Sequence, residues 1–276
     1  MAAESVPSPS PSVLMCRPEN FDVSYEINAF MEGNCGLVDF DLAQRQWAKL
    51  LSAVQIAGAS VELVTPQPGL PDLVFTANGG FIWGSSVVLP RFAHAERRGE
   101  EPYFREWFSK QGYTAEEVPG DEFFEGEGDV VVLDNLIFLG CHSRTSCGAA
   151  NTLERVTGLE VIPLRLNPRG FYHIDTCMFT DTASRNVFYA PEAFTSEDRK
   201  KIVDRVGQSR SIEVSLEEAQ CFACNTVVIG DTAISPLAPT SFADKVEAKG
   251  LRSVMVDLSE FMKAGGAAKC LVLRLA

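Results

Sequence analysis

Cys270 stands in AGGAAKCLVLRLA, behind two adjacent glycines and directly ahead of an apolar run. As a thiolate, cysteine attacks electron-poor carbon and forms covalent intermediates. Gly265 and Gly266 free the backbone to turn sharply ahead of it. The same setting also suits a structural cysteine entering a strand. His173, in NPRGFYHIDTCMF, is flanked by apolar residues and followed closely by Asp175. Such a pair suits general acid–base work, although a lone histidine is more commonly a satisfied core residue. PGLPDLVFTANGG carries Asp72 and Asn78 on either side of a Leu-Val-Phe-Thr run that reads as a short strand. EFFEGEGDVVVL carries Glu125, Glu127 and Asp129 in a glycine-loosened turn at the head of an apolar strand. Carboxylates at the mouth of a buried strand are costly unless they pair or bind something. Four such turns, each feeding a strand, predict a site assembled from strand ends.

Those turns need a scaffold in which strands and helices alternate. ASVELVTP, SVVLP, DVVVLDNLIFLG, LEVIPLR, NTVVIGDTAISP, SVMVDLS and KCLVLRL are β-branched runs bounded by Gly, Pro, Asp or Asn. Between them lie helix candidates: DFDLAQRQWAKLLSAVQIAG, EPYFREWFSKQG, TSEDRKKIVDRVGQ and SFADKVEAKG. The first presents Leu42, Trp47, Leu50, Leu51 and Val54 as one apolar stripe. A βα unit recurs about every 45–60 residues, which suggests a repeated module. No composition break divides the chain, so one α/β domain over 13–276 is expected. GFIWGSS and FEGEGD match neither a P-loop nor a dinucleotide fingerprint.

The chain has 276 residues, 46% of them hydrophobic, enough to bury a full core. Its formal charge of -13 argues against nucleic acid or an anionic membrane as partner and suits a cationic small molecule. No run of 18 apolar residues is present, so no segment reads as membrane-spanning. MAAESVPSPSPS lacks the basic and apolar regions of a secretory signal and the arginines of a transit peptide. Its Pro/Ser alternation predicts a disordered tail over residues 1–12. Eight cysteines without a signal segment predict reduced thiols and a cytoplasmic location. Cys221 and Cys224 have metal or redox spacing, but neither a second such pair nor a spaced histidine set accompanies them, so they read as small core residues. No metal and no cofactor is expected; a homo-oligomer stays open.

MCRPENFDVSYEIN, PGLPDLVFTANGG, FFEGEGD, FYHIDT and GGAAKC occur in that order. Together they resemble the guanidino-group modifying superfamily of arginine deiminases, dimethylargininases, amidinotransferases and arginine dihydrolases, over a span from Met15 to the C-terminus. The resemblance implies an α/β-propeller of five ββαβ modules around a pseudo-fivefold axis, with the site in the central channel. It implies that Cys270 attacks the guanidino carbon and that His173 protonates the departing amine and then activates water. Glu125 is implied to order His173 and to favour its charged form. The same likeness makes Arg97 and Arg144 a clamp on the substrate α-carboxylate, a task that bidentate arginine suits. Asp72 is implied to order the loop behind the site, and Asn28 to touch substrate.

Residue by residue, the pattern points within the superfamily. Deiminases and dimethylargininases carry an Asp where this chain has Asn78, while the second guanidinium-binding Asp of deiminases is present as Asp175. Asn followed by Asp resembles the cyanobacterial-type arginine dihydrolases, which yield ornithine, carbon dioxide and two ammonia. An Asn both donates and accepts, so turning its amide would let it hold either a guanidinium or a ureido group. Arginine deiminase, dimethylargininase acting on methylated arginine, amidinotransferase and an arginine-binding protein without activity are the alternatives.

Overall fold

The computed structural model of the chain describes residues 11–167, 170–181 and 183–275. In chain order its strands are β1 (Ser12–Cys16), β2 (Ser60–Val64), β3 (Phe81–Trp83), β4 (Ser86–Val88), β5 (Thr114–Glu116), β6 (Val130–Leu133), β7 (Leu136–Cys141), β8 (Glu160–Arg165), β9 (Met178–Asp181), β10 (Asn186–Tyr189), β11 (Ser211–Glu213), β12 (Val227–Ile229), β13 (Thr232–Pro236), β14 (Arg252–Val256) and β15 (Leu273–Arg274). They form five sheets of three. In four of these, two antiparallel strands make a hairpin and the second pairs in parallel with a third. The fifth joins the two ends of the described chain: β15 runs antiparallel to β1, and β1 parallel to β2. Each parallel pair is bridged by a helix, as its geometry requires. These helices are α1 (Phe40–Ile56), α2 (Glu101–Lys110), α3 (Ala149–Thr157) and α4 (Ser196–Val206), followed beyond the short α5 (Leu216–Gln220) by α6 (Thr240–Glu247). The first strands of the five units begin at 81, 130, 178, 227 and 273, about fifty residues apart. This is the expected period and the expected five-module propeller.

Local chemistry accounts for the helices. The Asp39 carboxylate accepts from the Leu42 amide and starts α1, while Thr195 caps α4 through the Asp198 amide. Along α1, Trp47, Leu50 and Val54 are buried as the stripe predicted, and Ala43 and Gln46 complete that face. Two sequence runs fold differently from single strands. DVVVLDNLIFLG becomes the hairpin β6–β7, turning at Asp134, whose φ is 53°. NTVVIGDTAISP becomes β12–β13, turning at Gly230. An Asp-Asn or Gly-Asp pair inside an apolar run is a hairpin signal. The chain is already paired at Ser12, opposite Ser60 of β2, so β1 begins inside the stretch assigned to the tail; residues 1–10 of that stretch lie outside the described residues.

The Leu-Val-Phe-Thr run is no strand either. It forms two consecutive 3-10 turns, Pro71–Val74 and Thr76–Gly79. Pro71 starts the first, the Phe75 and Asn78 amides close back on Asp72 and Phe75, and the Thr76 hydroxyl donates to Leu14 and Leu271 carbonyls. Similar turns lead into β6 (Gly126–Asp129) and β9 (Ile174–Thr176), and the middle one packs against the other two. No helix among the described residues is long and apolar enough to cross a membrane.

Candidate active site

Cys270 sits on the turn that leads into β15, 2% exposed. The two glycines before it do different jobs. Gly265 has φ +90°, the left-handed region that glycine tolerates. Gly266 supplies room, since a Cβ there would lie 2.4 Å from the Phe75 ring. The Cys270 thiol donates to Asp175 Oδ2 at 3.3 Å, and Asn225 Nδ2 donates to its sulfur at 3.1 Å. Burial pushes the thiol well above its ordinary pKa, and the Asp175 charge adds to that push. Burial also raises the Asp175 carboxyl to about 7. The buried sulfur therefore keeps its proton.

His173 lines the same cavity as Cys270. Its Nε2 lies 2.7 Å from Glu125 Oε2. Burial lowers His173 to about 4, outweighing the pull of Glu125. Burial alone would raise Glu125, but Arg144 and His173 together hold it below the usual carboxylate range. A neutral imidazole thus donates its Nε2–H to a carboxylate. Glu125 orders the ring and favours its charged form, as expected, but burial outweighs that pull. Glu125 is anchored in turn by the Ala93 amide on Oε1 and by Arg144 Nη1 on Oε2 at 3.2 Å.

The two arginines are unequal. Arg97 spends four of its five N–H groups inside the protein, two on Glu100, one on the Asp72 carbonyl and one on Asn78 Oδ1 at 2.8 Å. Its guanidinium also lies 4.4 Å from the centre of the Phe92 ring. Arg144 is held by Glu125 and the Ile27 carbonyl, with its guanidinium over the Tyr172 ring. Both line the cavity. Asn78 is pinned rather than free to turn: Nδ2 donates to the Glu125 carbonyl at 3.0 Å while Oδ1 accepts from Arg97. Gly128 leaves room for it, since a Cβ there would meet Asn78 Nδ2 at 2.3 Å and Asp175 Oδ2 at 3.7 Å. Asn28 also lines the cavity, but its amide already bonds the Ala264 carbonyl and the Phe30 and Met31 amides. It ties two loops together at the rim. Glu127 stands apart, paired with Lys269 at 2.8 Å.

Asp72 shows why these loops stay open to a ligand. Its Oδ2 accepts from the Tyr25 hydroxyl at 2.9 Å, yet its Oδ1 is buried without a partner among the described residues. Asp175 Oδ1 is in the same state. Buried carboxylate oxygens without donors are rare in folded proteins, and a cation is the ligand whose chemistry would complete them.

Asn225 was not singled out from sequence, and Asp129 entered only as one carboxylate of its turn. Asp129 accepts from the Thr145 hydroxyl at 2.7 Å and the Ile174 amide at 3.1 Å, which fixes the turn carrying His173. Asn225 is wholly buried against the Cys270 turn. A signal existed for both, since Asn78, Asp129, Asp175 and Asn225 stand just ahead of the first strands of four successive modules. One prediction fails outright: Cys141 and Cys147 form a disulfide, not two reduced thiols. Composition could not show that the end of β7 and the start of α3 bring these residues together around the Arg144 loop. Cys221 and Cys224 remain free thiols, Cys224 buried in the core and Cys221 half-buried.

A family model described as N,N dimethylarginine dimethylhydrolase, eukaryotic, matches residues 17–276. The chain belongs to this dimethylargininase family. A member from Mycobacterium tuberculosis, an N(G),N(G)-dimethylarginine dimethylaminohydrolase, is 35% identical over 95% of this chain and 84% of its own length. The bifunctional arginine dihydrolase/ornithine cyclodeaminase AgrE of Nostoc sp. is 43% identical over 95% of this chain and 37% of that protein. The chain therefore spans little more than a third of such bifunctional relatives. The crystal structure of the N-terminal domain of ArgZ, an arginine dihydrolase from cyanobacteria, bound to product superposes with a TM-score of 0.93 at 39% identity, covering 97% of this chain and 98% of that one. A dimethylarginine dimethylaminohydrolase adduct, at 21% identity and a TM-score of 0.77, shares the five-bladed fold. The dimethylargininase family thus provides the frame in which the cavity is read.

Proposed function

We propose that this dimethylargininase-family chain, acting from residue 13 onward as one catalytic unit, is an arginine dihydrolase giving ornithine, carbon dioxide and two ammonia. The observation that carries the reading is Asn78. Its amide donates to the Glu125 carbonyl and accepts from Arg97, an arrangement that an aspartate could not complete. Asp175 is then the anionic partner at the reacting end, so the site holds a guanidinium through charge and a neutral ureido group without facing it with a second carboxylate. The 43% and 40% identical relatives named as bifunctional arginine dihydrolases support the same reading. Asp72 Oδ1 suits the substrate α-ammonium, and Arg144 with the remaining Arg97 N–H suits the carboxylate.

The chemistry follows from the protonation states. An arriving guanidinium stabilises negative charge beside it, so the Cys270 proton passes to His173 and leaves a thiolate–imidazolium pair. The thiolate bonds the guanidino carbon; imidazolium protonates one amino group, the C–N bond breaks and ammonia departs. His173 then takes a proton from water, hydroxide adds to the carbon, and the C–S bond breaks to leave citrulline. A second attack at the ureido carbon releases the second ammonia. Hydrolysis of that intermediate frees carbon dioxide and ornithine, with two waters consumed overall.

The test is product analysis at complete arginine consumption by mass spectrometry. Ornithine with citrulline as a minor product is expected; citrulline as sole product would make the protein a deiminase and remove the role given to Asn78. A second reading rests on the family itself and on the 35% identical mycobacterial relative. Faster release of dimethylamine from dimethylarginine than of ammonia from arginine would favour it.

A further inference from the structure

Asn225 lies in QCFACNTVVIG, immediately before the run that forms β12, and no part of it reaches solvent. Its Oδ1 accepts from three backbone donors of the nucleophile turn: Ala267 at 3.1 Å, Lys269 at 3.0 Å and Cys270 at 3.2 Å. Its own carbonyl accepts once more from Lys269 at 3.2 Å. Three converging N–H groups can be met only by an oxygen, so the amide has one orientation. That orientation aims Nδ2 at the Asp175 carbonyl, 3.2 Å away, and at Cys270 Sγ, 3.1 Å away.

We infer that Asn225 is a catalytic residue, a fixed amide donor to the Cys270 thiolate in each attack and each departure of sulfur. In the resting state the sulfur carries a proton and donates a hydrogen bond through it to Asp175 Oδ2. Once that proton has gone, two anions face each other and the Asp175 contact turns repulsive. The Asn225 N–H is the one side-chain donor among the described residues that reaches the sulfur, and it needs no rearrangement to do so. A donor already aimed at the developing charge in a water-poor site stabilises it without reorganisation. The same amide keeps the turn in place through Oδ1, so sulfur position and sulfur basicity are set by one group. This inference rests on Cys270 being the nucleophile, as proposed above.

The experiment uses the full chain with Asn225→Asp and Asn225→Ala. Asp keeps an acceptor for the turn and exchanges the donor for oxygen; Ala removes both. In each variant that melts cooperatively, the rate of Cys270 carbamidomethylation by iodoacetamide, mapped by peptide mass spectrometry, is followed against pH. The midpoint is expected to rise by about one pH unit or more in at least one of them. Arginine kcat in that variant is expected to fall by about ten- to a hundredfold, with KM changed far less. A midpoint and kcat at the unmutated values in every folded variant would overturn the inference. If neither variant folds, the unmutated protein labelled with 15N-asparagine decides: one side-chain amide must titrate with the Cys270 midpoint, and the absence of any such resonance refutes it. Failure of the underlying reading looks different, because arginine turnover would survive full alkylation of Cys270 while the midpoint shift could still be read.

Discussion

At the scale of single residues, the site is built around charges that are missing until a ligand arrives. Cys270 is protonated, His173 is neutral, and Asp175 sits near the edge of ionisation because burial lifts it to about 7. A guanidinium needs Asp175 as carboxylate, the form present above that pH. Arginine kcat/KM is therefore expected to fall about tenfold per pH unit as pH drops below about 7, with kcat less affected because bound cation lowers the pKa. Asp175→Asn should weaken arginine binding and flatten that limb; a pH–rate profile of the two proteins decides. Cys270→Ala should lose turnover by a factor of about a thousand or more while melting close to the unmutated protein. Persistent turnover would move the nucleophile elsewhere. Asn78→Asp sets a carboxylate against the Glu125 carbonyl and should shift product from ornithine toward citrulline, read as their ratio by mass spectrometry.

At the scale of elements, the helices were legible because their signals are local. Asp39 and Thr195 cap, and the Trp47, Leu50, Val54 stripe has helical spacing. The long apolar runs were legible as β structure but not as hairpins, because Asp134 and Gly230 each interrupt a run by only a residue or two. The 3-10 turns at Pro71–Val74 and Thr76–Gly79 escaped because their stability comes from tertiary partners, such as the Thr76 hydroxyl reaching Leu14 and Leu271. Of the site, the residues carried by resemblance do converge, whereas the Asn225 and Asp129 side chains hold backbone amides of other loops, contacts made only in the folded chain. The Cys141–Cys147 bridge escaped for the same reason, and it has a consequence. It closes the loop that presents Arg144 and the Thr145 hydroxyl, which supports Asp129. Opening it frees that loop in the folded state. Cys147→Ser is expected to raise arginine KM by about three- to tenfold with a smaller change in kcat, and prior incubation of the unmutated protein with a dithiol should do the same. Steady-state kinetics with and without reductant checks it, and equal KM values would show that the loop holds itself.

At the scale of the molecule, five modules share one centre, and the two ends of the described chain complete the ring through β15 and β1. Leu14 on β1 is fully buried opposite Leu273. Leu14→Ala should cost about 2–5 kcal/mol, measured by urea unfolding. Because no sheet stands alone, fluorescence from Trp47, Trp83 and Trp107 should report the same midpoint as circular dichroism; separated transitions would mean that modules melt independently. The closure has a further meaning in time. Hairpins such as β6–β7 join neighbours in sequence and form early, whereas β15 must find β1 across nearly the whole chain, the kind of distant pairing that slows folding. Cys270 sits on the turn that arrives with β15. Its sulfur is therefore expected to be assembled last, in the slowest refolding phase. Pulsed thiol labelling should find Cys224, packed within the β12–β13 module, shielded well before Cys270, so that a chain caught before closure carries an exposed ordinary thiol and no catalyst.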